Sequence, residues 1–183
     1  MQGDAEQVDV ADTDPSHPDV PARDVRSGRE ADGMIPIPPD DTTVERLVVR
    51  APNWLGDALM ALPAIGALRR HFRGAHVTVA APAGFAAIFD EDTGAAPDAV
   101  LRLPKRPRDI RDALAAGRFD LGILLPNSFR SAWLMRRAGI PARWGVARSW
   151  RGPLLTRRPV RIPTHGVVHQ AEVYRNLVRG FGI

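Results

Sequence analysis

Residues 46–63, RLVVRAPNWLGDALMALP, decide the fold, because they run from a short β-branched strand through a polar loop into a helix. The pattern predicts a strand over 46–51 and a helix over 57–72 that Pro63 interrupts. Residues 119–134, FDLGILLPNSFRSAWL, repeat the arrangement, with an apolar strand over 121–125 and a helix over 129–138. Each of the two stretches therefore predicts a strand, a loop and a helix in succession.

The rest of the body continues this alternation. Further strands are predicted at 76–81, 99–103 and 143–146, and further helices at 84–90, 108–117 and 169–179. Such alternation produces a parallel sheet with helices on both faces. The sequence therefore predicts an α/β, Rossmann-like domain over residues 45–183, with its ligand-binding loops at the carboxyl ends of the strands.

Charge divides the chain near residue 45. Residues 1–45 carry twelve acidic and three basic side chains, a net charge of −9, whereas residues 46–183 carry 22 basic and nine acidic side chains, a net charge of +13. Residues 1–44 are acidic, proline-rich and without periodic apolar positions, so they are predicted to be a disordered tail. The basic body indicates an anionic partner: a phosphorylated sugar, nucleic acid or an anionic membrane.

Composition excludes several classes of function. The chain contains no cysteine, which rules out disulfide frameworks, thiolate catalysis and cysteine-based zinc sites. Its apolar runs are shorter than the roughly 18–20 residues that span a bilayer, and its polar N-terminus resembles no signal peptide, so an intracellular protein is expected. A metal site at His165 and His169 is disfavoured, because Gly166 replaces the glutamate of the H-E-x-x-H motif. No metal is therefore predicted.

The loop after the first strand contains the first candidate site residue, Asp57. No G-x-G-x-x-G or P-loop motif follows this strand, but Gly56 permits a tight turn and Asp57 begins the predicted helix. Two interpretations stand side by side. Asp57 is expected to cap the helix by accepting hydrogen bonds from backbone N–H groups, or to present a carboxylate to a substrate hydroxyl at the edge of the sheet, and both can be true together.

The loop after the fourth strand contains the second candidate site. Asn127 or Ser128 is expected to cap the helix, whose N-terminus offers free N–H groups beside the charge of Arg130. Together with the first loop it would form an anion-binding crevice, although a plain cap with a solvated arginine remains the alternative. A second arginine cluster is predicted either to be a solvated loop or to bind phosphates: Arg148, Arg151, Arg157, Arg158 and Arg161.

The segments RAPNWLGDALMALPAIGALRR, FDLGILLPNSFRSAWLMRRAGIPARWGV, RGPLLTRR and HQAEVYRNL resemble the ADP-heptose-dependent lipopolysaccharide heptosyltransferases over residues 46–182. The resemblance implies the N-terminal, acceptor-binding domain of a two-domain GT-B glycosyltransferase, with Asp57 as the general base. It implies no cofactor and no metal, and an ADP-heptose donor bound by a C-terminal domain that this chain lacks. The implied acceptor-binding residues are Asn53, Trp54, Gly56, Asn127, Ser128, Arg130 and Ser131.

The function predicted by this resemblance is inverting, metal-independent transfer of heptose to the lipopolysaccharide inner core. The partner would be an anionic glycolipid, and the protein would be cytoplasmic with peripheral contact to the inner membrane. A non-catalytic module that binds anionic glycolipid is the alternative. A nucleic-acid partner is not predicted, because no recognition helix or interleaved basic and aromatic strand accompanies the charge.

Overall fold

The computed structural model describes residues 43–160 and 169–183. Most of the predicted tail therefore lies outside the described residues, as do His165 and Arg161. Val44, at the end of the predicted tail, belongs to the folded body: its side chain is 4% exposed and packs with the core. The folded body thus includes a residue that the sequence pattern assigned to the tail.

The described part contains five strands and four α-helices. The strands are β1 Arg46–Arg50, β2 His76–Pro82, β3 Ala99–Leu103, β4 Leu121–Leu124 and β5 Ala142–Gly145. The helices are α1 Leu55–His71, α2 Pro107–Ala116, α3 Phe129–Arg137 and α4 Gln170–Arg179. Short 3₁₀ turns occupy Ala86–Phe89, where a helix was predicted, and Gly152–Leu154, inside the segment predicted to be irregular.

The strands form one parallel sheet in the order β3-β2-β1-β4-β5. The chain adds β2 and β3 on one side of β1 and then returns to place β4 on the other side. In this register Val48 lies between Thr78 of β2 and Gly122 of β4. The strand order therefore reverses between β1 and β4, and ligands of parallel α/β sheets bind at such a switch point, beyond the carboxyl ends of the strands.

The two faces of the sheet carry separate hydrophobic cores. Successive side chains of a strand point to opposite faces, so β1 supplies both cores. Leu47 and Val49 pack in the core that contains α1 and α4, whereas Val48 packs in the core that contains α2 and α3. All three side chains are fully buried, and full burial of each is worth about 1.5–3 kcal/mol. The prediction of a Rossmann-like sheet covered on both faces is confirmed.

The beginning of α1 differs from the sequence prediction. Trp54 is the N-cap, with extended backbone angles (φ −114°, ψ 141°) and no capping bond from a side chain, so the helix starts at Leu55. Gly56 consequently lies inside the helix, and the prediction of a tight turn at Gly56 was wrong. The predicted interruption at Pro63 was also wrong, because α1 continues through it. Pro63 lies on the exposed side of the helix, where water can bind the backbone carbonyl that proline leaves without a donor.

Candidate active site

A cleft of about 760 Å³ opens at the carboxyl edge of the sheet, at the switch point between β1 and β4. Three loops and two helices form its walls. The loops after β1, β4 and β5 contribute Asn53, Trp54, Asn127 and Arg148, and α1 contributes Asp57. Helix α4 contributes the remaining lining side chains, namely Gln170, Val173, Tyr174, Asn176 and Leu177.

Asp57 is the third residue of α1 and lies half-exposed on the cleft wall. Because the helix begins two residues earlier, Asp57 is not its N-cap, and the capping interpretation was wrong. The carboxylate makes no hydrogen bond or ion pair with any residue that the structure describes. Its charge reaches Tyr174: burial raises the pKa of that phenol, a hydrogen bond with Gln170 lowers it, and the negative charge of Asp57 raises it further. A carboxylate without a partner among the described residues therefore lines the cleft.

Arg50, the last residue of β1, orients one asparagine of the cleft. Its guanidinium donates to Asn53 Oδ1 at 2.6 Å and to the carbonyl oxygens of Ala51 and Ala80. Burial lowers the pKa of Arg50 to about 10, so the group is still cationic at neutral pH. Since the amide oxygen of Asn53 is engaged by Arg50, its N–H groups remain to bind a ligand.

Arg151 orients the second asparagine in the same manner. Its side chain is fully buried and donates to Val146 O at 2.7 Å, to Asn127 Oδ1 at 3.2 Å and to the carbonyl oxygen of Pro126. Burial also lowers the pKa of Arg151 to about 10. The prediction that Arg151 is solvated or binds phosphate was wrong, because its donors are already used inside the protein. Asn53 and Asn127, two of the three asparagines that line the cleft, thus each have their amide oxygen bound by an arginine, and their side-chain N–H groups bond to no described residue.

The start of α3 forms a second, smaller pocket. Ser128 is the N-cap, as predicted for Asn127 or Ser128, and its Oγ accepts from Ser131 N at 3.3 Å. The Ser131 hydroxyl donates back to Ser128 O at 2.8 Å, so both serines serve the cap. Arg130 lines this pocket of about 240 Å³ together with Arg50 and Asn53. Asn53 borders both pockets, but Arg130 lines only the smaller one.

The remaining predicted site residues and the members of the arginine cluster lie in different parts of the structure. Trp54 is 75% exposed at the mouth of the larger cleft, whereas Gly56 does not line it. Arg157 belongs to the core packing, with its guanidinium 4.4 Å from the centre of the Trp144 ring and a bond to Phe181 O at 2.7 Å. Arg148 is the member of the described cluster that both is exposed and lines the cleft. In the described residues no group of three His, Asp or Glu side chains has the geometry of a metal site.

A parallel sheet with a cleft at its switch point is the general arrangement of ligand-binding α/β domains. Residues 108–181 match the model of glycosyltransferase family 9 (heptosyltransferase). The chain is also 32% identical over 116 residues to lipopolysaccharide heptosyltransferase 2 of Escherichia coli K12, and 31% identical to the protein of the same name from Salmonella typhimurium LT2. The resemblance to the ADP-heptose glycosyltransferases predicted from the sequence is confirmed.

Solved structures agree with this assignment. The structure of E. coli ADP-heptose lipopolysaccharide heptosyltransferase II aligns with a TM-score of 0.59 at 27% identity, over 73% of this chain and 40% of that protein. A glycosyltransferase of family 9 from Veillonella parvula shares the fold, with a TM-score of 0.62 at 20% identity. The match to the E. coli K12 relative covers 60% of this chain and 32% of the relative, so the shared region is about a third of that protein.

Proposed function

We propose that these residues form the acceptor-binding part of a glycosyltransferase that transfers heptose from ADP-heptose to the inner core of lipopolysaccharide. The observation that carries the proposal is the carboxylate of Asp57 on the wall of the switch-point cleft, which bonds to no described residue. It lies among hydrogen-bond donors: the N–H groups of Asn53 and Asn127 and the guanidinium of Arg148. A sugar hydroxyl bound by these donors would have the carboxylate as its proton acceptor.

The proposed reaction is an inverting transfer that needs neither metal nor cofactor. Asp57 takes the proton of an acceptor hydroxyl, and the hydroxyl oxygen attacks the anomeric carbon of the donor heptose. The bond between that carbon and the ADP oxygen breaks, and ADP leaves with the electron pair. A direct displacement of this kind inverts the anomeric configuration. The nucleotide sugar would be held by a donor-binding domain, which is not among the described residues.

The anionic glycolipid acceptor also accounts for the charge of the body. Arg130 and Arg148 are exposed near the two pockets, and each would bind a phosphate of the lipopolysaccharide core. Because such an acceptor is anchored in a bilayer, the protein would work at the cytoplasmic face of the inner membrane as a peripheral protein. Among the described residues, no helix combines the length and apolar character that crossing a membrane requires.

The experiment that tests the proposal is the substitution Asp57→Asn. General-base catalysis is worth about 10²–10⁴ in rate, so kcat should fall by that factor. The melting temperature should stay close to that of the unmodified protein, because Asp57 neither caps α1 nor forms an ion pair with a described residue. The measurement is steady-state heptose transfer by the chain complemented with a donor-binding domain.

Asp109→Asn provides the matched control. Asp109 is the third residue of α2, just as Asp57 is the third residue of α1, but it is exposed away from the cleft. Asp109→Asn therefore removes the same charge at the same helix position and should leave kcat unchanged. Equal activity of the Asp57 and Asp109 variants would contradict the role of Asp57 as a base.

A non-catalytic module that binds anionic glycolipid is the second candidate. The observation in its favour is the net charge of +13 over residues 46–183, which attracts an anionic glycolipid whether or not heptose is transferred. This candidate predicts that the chain binds core oligosaccharide, yet gives no transfer when a donor-binding domain and ADP-heptose are supplied. Transfer that depends on Asp57 would exclude it.

A further inference from the structure

Helix α3 exposes a face of aromatic and arginine side chains, here called the aromatic–arginine face: Phe129, Arg130, Trp133, Arg136 and Arg137. At 100° per residue these five positions fall within an arc of about 120°. Phe129 is 46% exposed and Trp133 is 40% exposed, and the three arginines are exposed as well. The Arg137 guanidinium lies over the Trp133 ring, 5.4 Å from its centre.

The packing of α3 against the sheet does not depend on apolar residues on this face. The helix is attached to the sheet by the opposite side, where Ser131, Ala132, Leu134 and Met135 are buried. Phe129 and Trp133 lie outside this buried side and keep 46% and 40% of their surface in contact with solvent. Exposed aromatic residues that form a patch with arginines are a feature of surfaces that contact a partner.

The loop beside α3 presents a further aromatic residue. Trp150 is 94% exposed. Ser149 and Trp150 both have positive φ angles, 53° and 59°, which residues other than glycine rarely adopt. The next residue, Arg151, anchors this loop through the carbonyl oxygens of Pro126 and Ser128, immediately before α3. The loop that holds Trp150 outward is thus fixed to the beginning of the helix that carries the aromatic–arginine face.

We infer that the aromatic–arginine face of α3, together with Trp150, docks onto the surface of an anionic lipid bilayer. This inference rests on the membrane contact proposed above and assigns that contact to a surface. Trp and Phe favour the headgroup region of a bilayer, and arginine binds the phosphates of its lipids. α3 contains three arginines and no acidic residue, and the acids Asp109 and Asp112 of neighbouring α2 are matched by Arg108 and Arg111 on the same helix.

The same charge pattern disfavours a second copy of this chain as the occupant. A symmetric dimer would place this face against itself and bring two sets of three arginines together. Like charges in such a contact repel each other, whereas the anionic phosphates of a lipid surface attract all three arginines. Charge complementarity therefore favours the bilayer.

Vesicle binding by the full chain tests the inference. The vesicles contain phosphatidylglycerol in phosphatidylcholine, or phosphatidylcholine alone, and no lipopolysaccharide, so the result does not depend on the proposed acceptor site. Binding should require phosphatidylglycerol and should weaken with salt. The double variant Arg136→Gln/Arg137→Gln should bind about 25-fold more weakly, since each basic residue near the surface contributes about fivefold. The double variant Phe129→Ala/Trp133→Ala should lose at least about tenfold, because its inserted apolar area is removed.

Two exposed residues elsewhere provide matched controls. Leu59→Ala removes an exposed apolar side chain of α1 that is 48% exposed, and Arg73→Gln removes an exposed arginine at the amino edge of the sheet. Both should bind vesicles as the unmodified chain does. Brominated lipids should quench tryptophan fluorescence, and Trp150→Phe should reduce that quenching. All variants are checked for an unchanged melting temperature.

Three results would overturn the inference. One is binding that does not depend on phosphatidylglycerol, and another is equal loss in the α3 variants and in the two controls. The third is self-association in sedimentation that Trp133→Ala abolishes, which would assign the face to a second copy. If vesicle binding fails while Asp57-dependent transfer to a soluble core oligosaccharide persists, the docking surface is wrong and the proposed function stands.

Discussion

Arg151 is the residue whose removal should disturb the cleft most. In Arg151→Ala the carbonyl oxygens of Pro126 and Val146 lose their buried donor, and each unsatisfied group costs about 1–3 kcal/mol. Asn127 loses the partner of its amide oxygen in the same step. Part of this loss is offset, because the variant no longer buries a cation without an acidic partner. A net destabilisation of about 3 kcal/mol follows.

Thermal unfolding followed by circular dichroism measures this effect. For a chain of this size 1 kcal/mol corresponds to about 2–4 °C, so the melting temperature should fall by roughly 6–12 °C. Arg151→Lys should lose somewhat less, because one ammonium group cannot reach the carbonyl oxygens of both loops as the planar guanidinium does.

Arg148→Ala is the control from the same loop. Arg148 is exposed, and its side chain bonds to no described residue, so its removal should change the free energy of unfolding by less than about 0.5 kcal/mol. If Arg151→Ala and Arg148→Ala melted at the same temperature, the account of Arg151 as the link between the two loops would be refuted.

Two further predictions concern the last helix and the smaller pocket. Gly180→Ala should destabilise the protein by about 1–3 kcal/mol in urea unfolding, because the new Cβ would lie 2.5 Å from Val160 O and 2.7 Å from Pro159 Cβ. Gly74→Ala, where nothing lies within 4 Å of the new atom, should be tolerated, and equal stability of the two variants would contradict the contact. Arg130→Ala should weaken binding of a phosphorylated core oligosaccharide by about 1.5–3 kcal/mol in calorimetry, with a smaller salt dependence. Arg73→Ala should have no such effect, and an unchanged affinity in Arg130→Ala would remove this arginine from the acceptor site.

The sequence predicted the sheet and its helices because hydrophobic periodicity is a local signal. The apolar run of β4 and the apolar positions of α1 identify their elements without knowledge of the partner elements. The same local signal located the first residue of α1 only approximately. The two-residue difference between Leu55 and Asp57 changed Asp57 from a helix cap to a side chain that lines the cleft.

The roles of Arg50 and Arg151 could not be predicted from such a signal. Arg151 bonds to Pro126 and Asn127, more than twenty residues earlier in the chain, and Arg50 reaches Ala80 of the neighbouring strand unit. Only the folded arrangement brings these carbonyl oxygens to the guanidinium groups. In the sequence, Arg151 looks the same as exposed Arg148, and buried Trp144 looks the same as exposed Trp150. Residue type alone therefore did not separate structural from surface-exposed members of the arginine cluster.

The position of α4 defines the smallest unit that can have a complete cleft. All five strands precede residue 146, so a chain cut at residue 160 would retain every strand of the sheet. It would nevertheless lose Tyr174 and Leu177, which belong both to the core around α1 and to the lining of the cleft. Helix α4 thus contributes both to the folded core and to the cleft. A functional domain must therefore extend to the end of α4 and not only to the last strand.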